Sequence, residues 1–181
     1  LFDLLNFLSA NDEFNEFRQT VFEKNTIYIL PMLNPDGAEL YQRRNALEID
    51  LNRDAVALQS PEAQLLKKVF EVIKPDFGLN LHDQSERYSV GNSHRQAAIS
   101  FLAPASDVEK SISPNRKMAM QIIAELNSAI TYTIPGHTAK YSDEFEPRAF
   151  GDNFQKWGMS TILIESGGWK GDSEKKKKKK I

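Results

Sequence analysis

Short, almost wholly apolar runs alternate with segments of helical periodicity along this chain, and that alternation constrains its fold more than any other feature. Thr26–Met32 (TIYILPM), Phe77–Leu81, Ala97–Ala103 and Thr161–Ile164 read as strands. TIYILPM is β-branched or apolar at nearly every position, which marks a strand buried on both faces. Helical patterns fall between them. Ser60-Pro61-Glu62 opens a helix with Ser as N-cap, Pro at the first helical position and Glu in the first turn. It carries Leu65, Leu66, Val69, Phe70 and Ile73 inward and stops at Lys74-Pro75. Ser113-Pro114 starts another that runs to about Ile130, and Phe154–Trp157 ends a short one. At the front, apolar spacing predicts two helical stretches, residues 1–9 and 12–24, broken near Ser9–Asn11. This order predicts an α/β fold: a mixed, largely parallel sheet with helices on both faces. Residues 38–59 are polar and read as irregular structure, preceded by the turn signal Pro35-Asp36-Gly37.

Composition narrows the function classes. The 181 residues carry 23 Lys plus Arg against 25 Asp plus Glu, a formal −2. That figure hides an unbroken lysine run, Lys175–Lys180; without it 17 basic residues face 25 acidic ones, a net −8. A body this acidic does not suit a nucleic-acid partner. The lysine-rich end, residues 172–181, reads as a solvated tail or as a charged arm for a polyanionic surface. No apolar run approaches the roughly 18–20 residues of a membrane-spanning helix. The absence of cysteine excludes disulfides, thiolate zinc sites and a cysteine nucleophile, and it leaves the compartment unassigned. The chain starts at Leu1, already inside an amphipathic pattern, so further sequence is expected before it.

In α/β sheets, ligands bind at the carboxyl ends of the strands. Three strand exits here carry polar groups. His82 and Asp83 follow Phe77–Leu81, Glu165 follows Thr161–Ile164, and the turn at Asn34–Gly37 leads to Arg43, Arg44, Asn45 and Asp50-Leu51-Asn52-Arg53. A strand-end His is either a metal ligand or a structural side chain. A strand-end Glu is either a general base or a solvated carboxylate. Paired arginines in an acidic body either recognise a carboxylate bidentately or form surface ion pairs. Together they make up the inventory of metal-assisted hydrolysis: a metal ligand, a carboxylate base and cationic anchors.

The order Asn34-Pro35-Asp36-Gly37, Arg44-Asn45, Asp50-Leu51-Asn52-Arg53, Ser60-Pro61-Glu62, Leu81-His82-Asp83 and Ile164-Glu165 resembles the zinc carboxypeptidase family, the M14 metallopeptidases. The resemblance spans about residues 26–169 and implies one partial catalytic domain over residues 1–171. It implies that His82 is a zinc ligand and that Glu165 is the general base acting on the zinc-bound water. It implies that Arg44 stabilises the oxyanion, with an assignment one residue earlier, to Arg43, also open. Asn52 and Arg53 would clamp a substrate's C-terminal carboxylate. The implied cofactor is Zn2+, and the implied partner is a peptide or amino-acid derivative with a free C-terminal carboxylate.

One motif departs from the family. Its first two zinc ligands come from an upstream His-x-x-Glu. The only histidines here are His82, His94 and His137, and none has Glu at the third following position. The remaining ligands are therefore expected upstream of residue 1, the domain reads as N-terminally truncated, and the chain as given is expected to have little peptidase activity. Tyr141, 24 residues before Glu165, is the candidate for the family's mobile-loop tyrosine. Two other readings share these residues: a related zinc amidohydrolase acting on N-acyl amino acids, and a metal-free carboxylate-binding module. A sheet lacking its front strand would also expose an edge and favour self-association.

Overall fold

The structure, a computed structural model, describes residues 2–172. Leu1, the lysine run and nearly all of the expected tail lie outside the described residues. Two helices come first, α1 (Phe2–Ser9) and α2 (Asn15–Lys24), close to the predicted bounds. They are joined through Arg18, which is buried on α2, pairs with Asp12 and lies 5.1 Å over the Phe7 ring.

The remaining elements are α3 (Pro35–Glu39), a 3-10 turn at Leu51–Arg53, α4 (Pro61–Ile73), β1 (Phe77–Asp83), β2 (Ile99–Leu102), α5 (Pro114–Thr131), β3 (Thr138–Lys140), α6 (Phe150–Lys156) and β4 (Ser160–Ser166). The two long helices begin as their sequences dictate. The Ser60 hydroxyl accepts from Ala63 N at 3.2 Å, and that of Ser113 from Arg116 N at 3.4 Å, each with Pro at the next position. Lys74 ends α4 in the left-handed region at φ 49°, just ahead of Pro75.

The sheet order is β1-β4-β2-β3. β1 runs parallel to β4 and β2 parallel to β3, while β2 and β4 are antiparallel, so the sheet is mixed and mostly parallel as expected. β4 is central, and its alternate residues serve two cores. Ile162 and Ile164 pack with Ala103 and with Ala119, Ile122 and Ile123 of α5. α6 also packs on β4, and there Phe150 meets Ala55 and Ala63, with Leu58, Leu66, Phe154 and Trp157 around them. Lys67 caps this aromatic group, its ammonium 3.6 Å from the Trp157 ring centroid.

One expected strand is absent. Thr26–Met32 is not part of the described sheet, and Ile27, Tyr28, Ile29, Leu30 and Met32 are exposed. The composition of TIYILPM states which environment the segment suits, but it does not fix which edge the segment joins, and here it pairs with neither edge of the described sheet. β1 accordingly forms one edge of the sheet, with Phe77, Leu79 and Leu81 each more than half exposed. Three smaller elements were not read from the sequence: β3, only three residues long, α3, where a turn was expected, and the 3-10 turn at Leu51–Arg53.

The packing predicts a contrast between neighbouring strands. Ile162→Ala, at a site 1% exposed, should lower the unfolding free energy by about 2–5 kcal/mol. Leu79→Ala, on the open face of β1, should change it by less than about 1 kcal/mol. Urea titration of the two variants checks this, and equal losses would refute the assignment of the core to β4.

Candidate active site

The parallel register of β1 and β4 sets His82 directly opposite Glu165, at the carboxyl ends of both strands. His82 Nδ1 lies 3.9 Å from Glu165 Oε1, too far for a direct hydrogen bond. Glu165 is buried, and loss of hydration pushes its pKa up; Asp83 adds to this and Arg43 pulls it back. His82 is shifted the other way, first by burial and then by the charge of Arg43. The pair is therefore a neutral imidazole beside a carboxylate of raised proton affinity. The neutral imidazole is the form that ligates a metal.

Arg43 is positioned by residues around the NPDG turn. The Asn34 side chain accepts from Gly37 N at 2.9 Å and donates to the Arg43 carbonyl at 3.3 Å. Gln42 N donates to the Gly37 carbonyl at 2.8 Å. A Cβ at Gly37 would lie 2.7 Å from Gln42 O and 2.9 Å from Arg44 O, so glycine is what lets the 42–44 backbone approach. The Arg43 side chain donates through Nε to Asp50 Oδ2 at 2.7 Å. Its charge acts on His82, Glu165 and Tyr141. Arg44 is engaged elsewhere, donating to the Glu48 carbonyl at 2.5 Å. Of the two adjacent arginines, Arg43 is thus the one whose charge acts on the His82–Glu165 pair.

Asp50 links this group to the next. Its other oxygen, Oδ1, accepts from Asn52 N at 3.0 Å and caps the 3-10 turn that carries Asn52 and Arg53. The turn is held from behind by buried Asp54, which accepts from Gln59 N and from both the backbone N and the hydroxyl of Ser60. Buried Asn45 braces the preceding loop, accepting from Leu47 N and Ile49 N and donating to Glu62. Asn52 Oδ1 accepts from Phe150 N at 3.0 Å, which leaves the amide nitrogen of its side chain as a donor. Arg53 donates to the Asn52 carbonyl at 2.6 Å and pairs with Glu146 at 3.0 Å.

Three neighbours carry no sequence motif. Tyr141 continues from β3 through Tyr141 N to Phe101 O at 2.8 Å. Burial raises its phenol pKa, and Glu165 and Tyr88 raise it further. The Tyr88 ring stands edge-on to it at 6.2 Å and 72°. Tyr141, the candidate for the mobile-loop tyrosine, thus comes within electrostatic reach of Glu165. Glu146 and Asp152 sit on the Arg53 side, with Asp152 accepting from Glu146 N at 3.2 Å. Among the described residues, no group of three or more His, Cys, Asp or Glu is arranged to hold a metal ion.

Burial, with the charge of Glu146 in support, pushes the Asp152 carboxyl up to about 6. The unfolded chain ionises this group at ordinary carboxylate pH, whereas the folded chain keeps the proton longer. Asp152 therefore removes stability as pH rises from about 4 to about 6. Asp152→Asn, which keeps the acceptor for Glu146 N, should lose that fall: its Tm relative to the parent chain should increase across this window. A difference that stays constant with pH would contradict the shift.

Known proteins give the site its context. No family model matches the chain. It is 34% identical over 80 residues to "Probable carboxypeptidase 2" of Arthroderma benhamiae, a stretch covering 44% of this chain and 15% of that protein. It is 39% identical over 54 residues to "Carboxypeptidase SOL1" of Arabidopsis thaliana, covering 30% of this chain and 11% of that one. The chain thus matches only a small fraction of these relatives' length. Among solved structures, a metallo-carboxypeptidase from Burkholderia cenocepacia superposes with a TM-score of 0.67 at 19% identity, over 91% of this chain and 42% of that chain. The mixed α/β fold of the chain is thus that of a metallo-carboxypeptidase, and part of its sequence is similar to proteins named carboxypeptidase.

Proposed function

We propose that this chain carries the base and carboxylate-recognition half of a metallocarboxypeptidase-type hydrolase that acts on peptides at a free C-terminus. One observation supports this most: a buried Glu165 opposite His82 in the β1–β4 register, with the charge of Arg43 acting on both and Arg43 tied through Asp50 to the Asn52–Arg53 turn. Glu165, with its raised proton affinity, suits taking a proton from water and returning it to the leaving amine. Arg43 suits offsetting the negative charge that builds on the attacked carbonyl oxygen. This is the role that the sequence resemblance gave to Arg44, moved by one residue. Asn52 and Arg53 offer an amide donor and a guanidinium fork, the complement of a terminal carboxylate.

A catalytic zinc takes three protein ligands and keeps one position open. His82 fits one of the three, and no described cluster completes the set. The described residues therefore do not hold catalytic zinc by themselves. A second reading, a carboxylate-binding module without hydrolysis, draws support from this single imidazole donor. The buried Glu165, which a binder does not need, favours the hydrolase.

Zinc titration with a hydrolysis assay tests the reading. The chain as given is expected to bind no stoichiometric tight zinc and to release little C-terminal amino acid from blocked dipeptides. One tightly held zinc per chain with robust hydrolysis would show that the donor set is complete. In a longer form that hydrolyses such peptides, Glu165→Gln should cut kcat by about 100-fold or more while carboxylate binding persists. Unchanged kcat in that variant would remove Glu165 from the chemistry.

A further inference from the structure

We propose that Glu146 is an internal competitor for the guanidinium of Arg53, and that it thereby sets how strongly a ligand's terminal carboxylate is held. This rests on the reading of Arg53 as a carboxylate anchor. Arg53 Nε lies 3.0 Å from Glu146 Oε2, while Nη1 donates to the Asn52 carbonyl at 2.6 Å. The anchor is thus already engaged by the same functional group that a substrate would present. The pair is open to exchange, because both side chains are partly exposed, 38% for Arg53 and 28% for Glu146. Ion pairs with this exposure are held weakly.

Glu146 has somewhere else to stay. Arg148 grips it with both ends of its fork, Nε to Oε1 at 3.0 Å and Nη2 to Oε2 at 3.1 Å. The Arg148 backbone N also donates to Oε1, at 3.2 Å. The segment is pinned to the 3-10 turn region by Phe150 N on Asn52 Oδ1 and by Ala55 N on the Arg148 carbonyl at 3.1 Å. An incoming carboxylate can therefore draw Arg53 away while Arg148 retains Glu146 in place. The arrangement lowers affinity for weak carboxylate ligands without closing the site, and nothing in the proposed hydrolysis otherwise uses Glu146.

The test is binding of benzoylglycine to the full chain at neutral pH and fixed ionic strength, with benzoylglycine amide as the uncharged control. Glu146→Asp keeps the charge and withdraws the carboxylate by one methylene; Glu146→Gln removes the charge. Both should bind the acid about two- to fivefold more tightly than the parent chain, with the amide unaffected. Tightening in Glu146→Gln alone would reflect the general field, not competition at Arg53, and would overturn the proposal. Unchanged or weaker acid binding in both variants would also overturn it. Arg53→Gln separates this from the underlying reading. If it abolishes the preference for acid over amide while the Glu146 variants match the parent, only the competition fails. If Arg53→Gln binds the acid as the parent does, the anchor reading fails and the competition fails with it.

Discussion

Seven residue pairs join β1 to β4 in parallel, from Phe77 against Ser160 to Asp83 against Ser166, and the site is built on that register. Side chains alternate across a sheet, so a slip of one residue would turn His82 to the opposite face from Glu165. The register is held by what packs on β4. Ile162 and Ile164 are committed to the α5 core, while buried Thr161, paired through its backbone N with Gln155 Oε1 at 3.2 Å, faces α6. With β4 fixed on both sides, Glu165 arrives buried at the strand end, and burial is what raises its proton affinity. Packing and site chemistry therefore have one cause.

Arg43 reaches the same point by a different route. It lies on an irregular loop, where no ladder of hydrogen bonds fixes a side chain. Its place is set by Asn34 and Gly37 on one side and Asp50 on the other. Asp50 shares its two oxygens between the Arg43 side chain and the backbone of the turn that presents Asn52 and Arg53. The NPDG and DLNR motifs are thus parts of one support: the first lets the backbone approach, and the second ties the Arg43 side chain to the turn that carries Asn52 and Arg53. Glu146, Arg148 and Asp152 reach that turn from a segment about 95 residues further along the chain.

Features with strong local causes were legible from the residues alone. A serine cap followed by proline announced α4 and α5, and an apolar run closed by a charged residue announced β1 and β4. His82, Glu165, Asn52 and Arg53 could be named because each ends such an element or sits in a recognisable motif. What depends on distant partners was not legible. TIYILPM has strand composition but pairs with neither edge of the described sheet, and β3 is too short to leave a pattern. The choice between Arg43 and Arg44 turns on which guanidinium Asp50 accepts from, and two adjacent arginines look alike until the loop is folded. Glu146 and Tyr88 lie on connecting segments and Asp152 on the first turn of α6, and only the tertiary fold brings them to the site.

The central claim is that one connected surface, from Arg43 through Asp50 to Arg53 and across to Glu165, receives a ligand with a free carboxylate, held at its Asn52–Arg53 end. The most direct measurement is an amide-resolved NMR titration of the chain with benzoylglycine. Shift changes concentrated at residues 43–53, 82–83, 146–152 and 165 are the expected result. Changes confined to α1 and α2, or spread evenly over the chain, would contradict it.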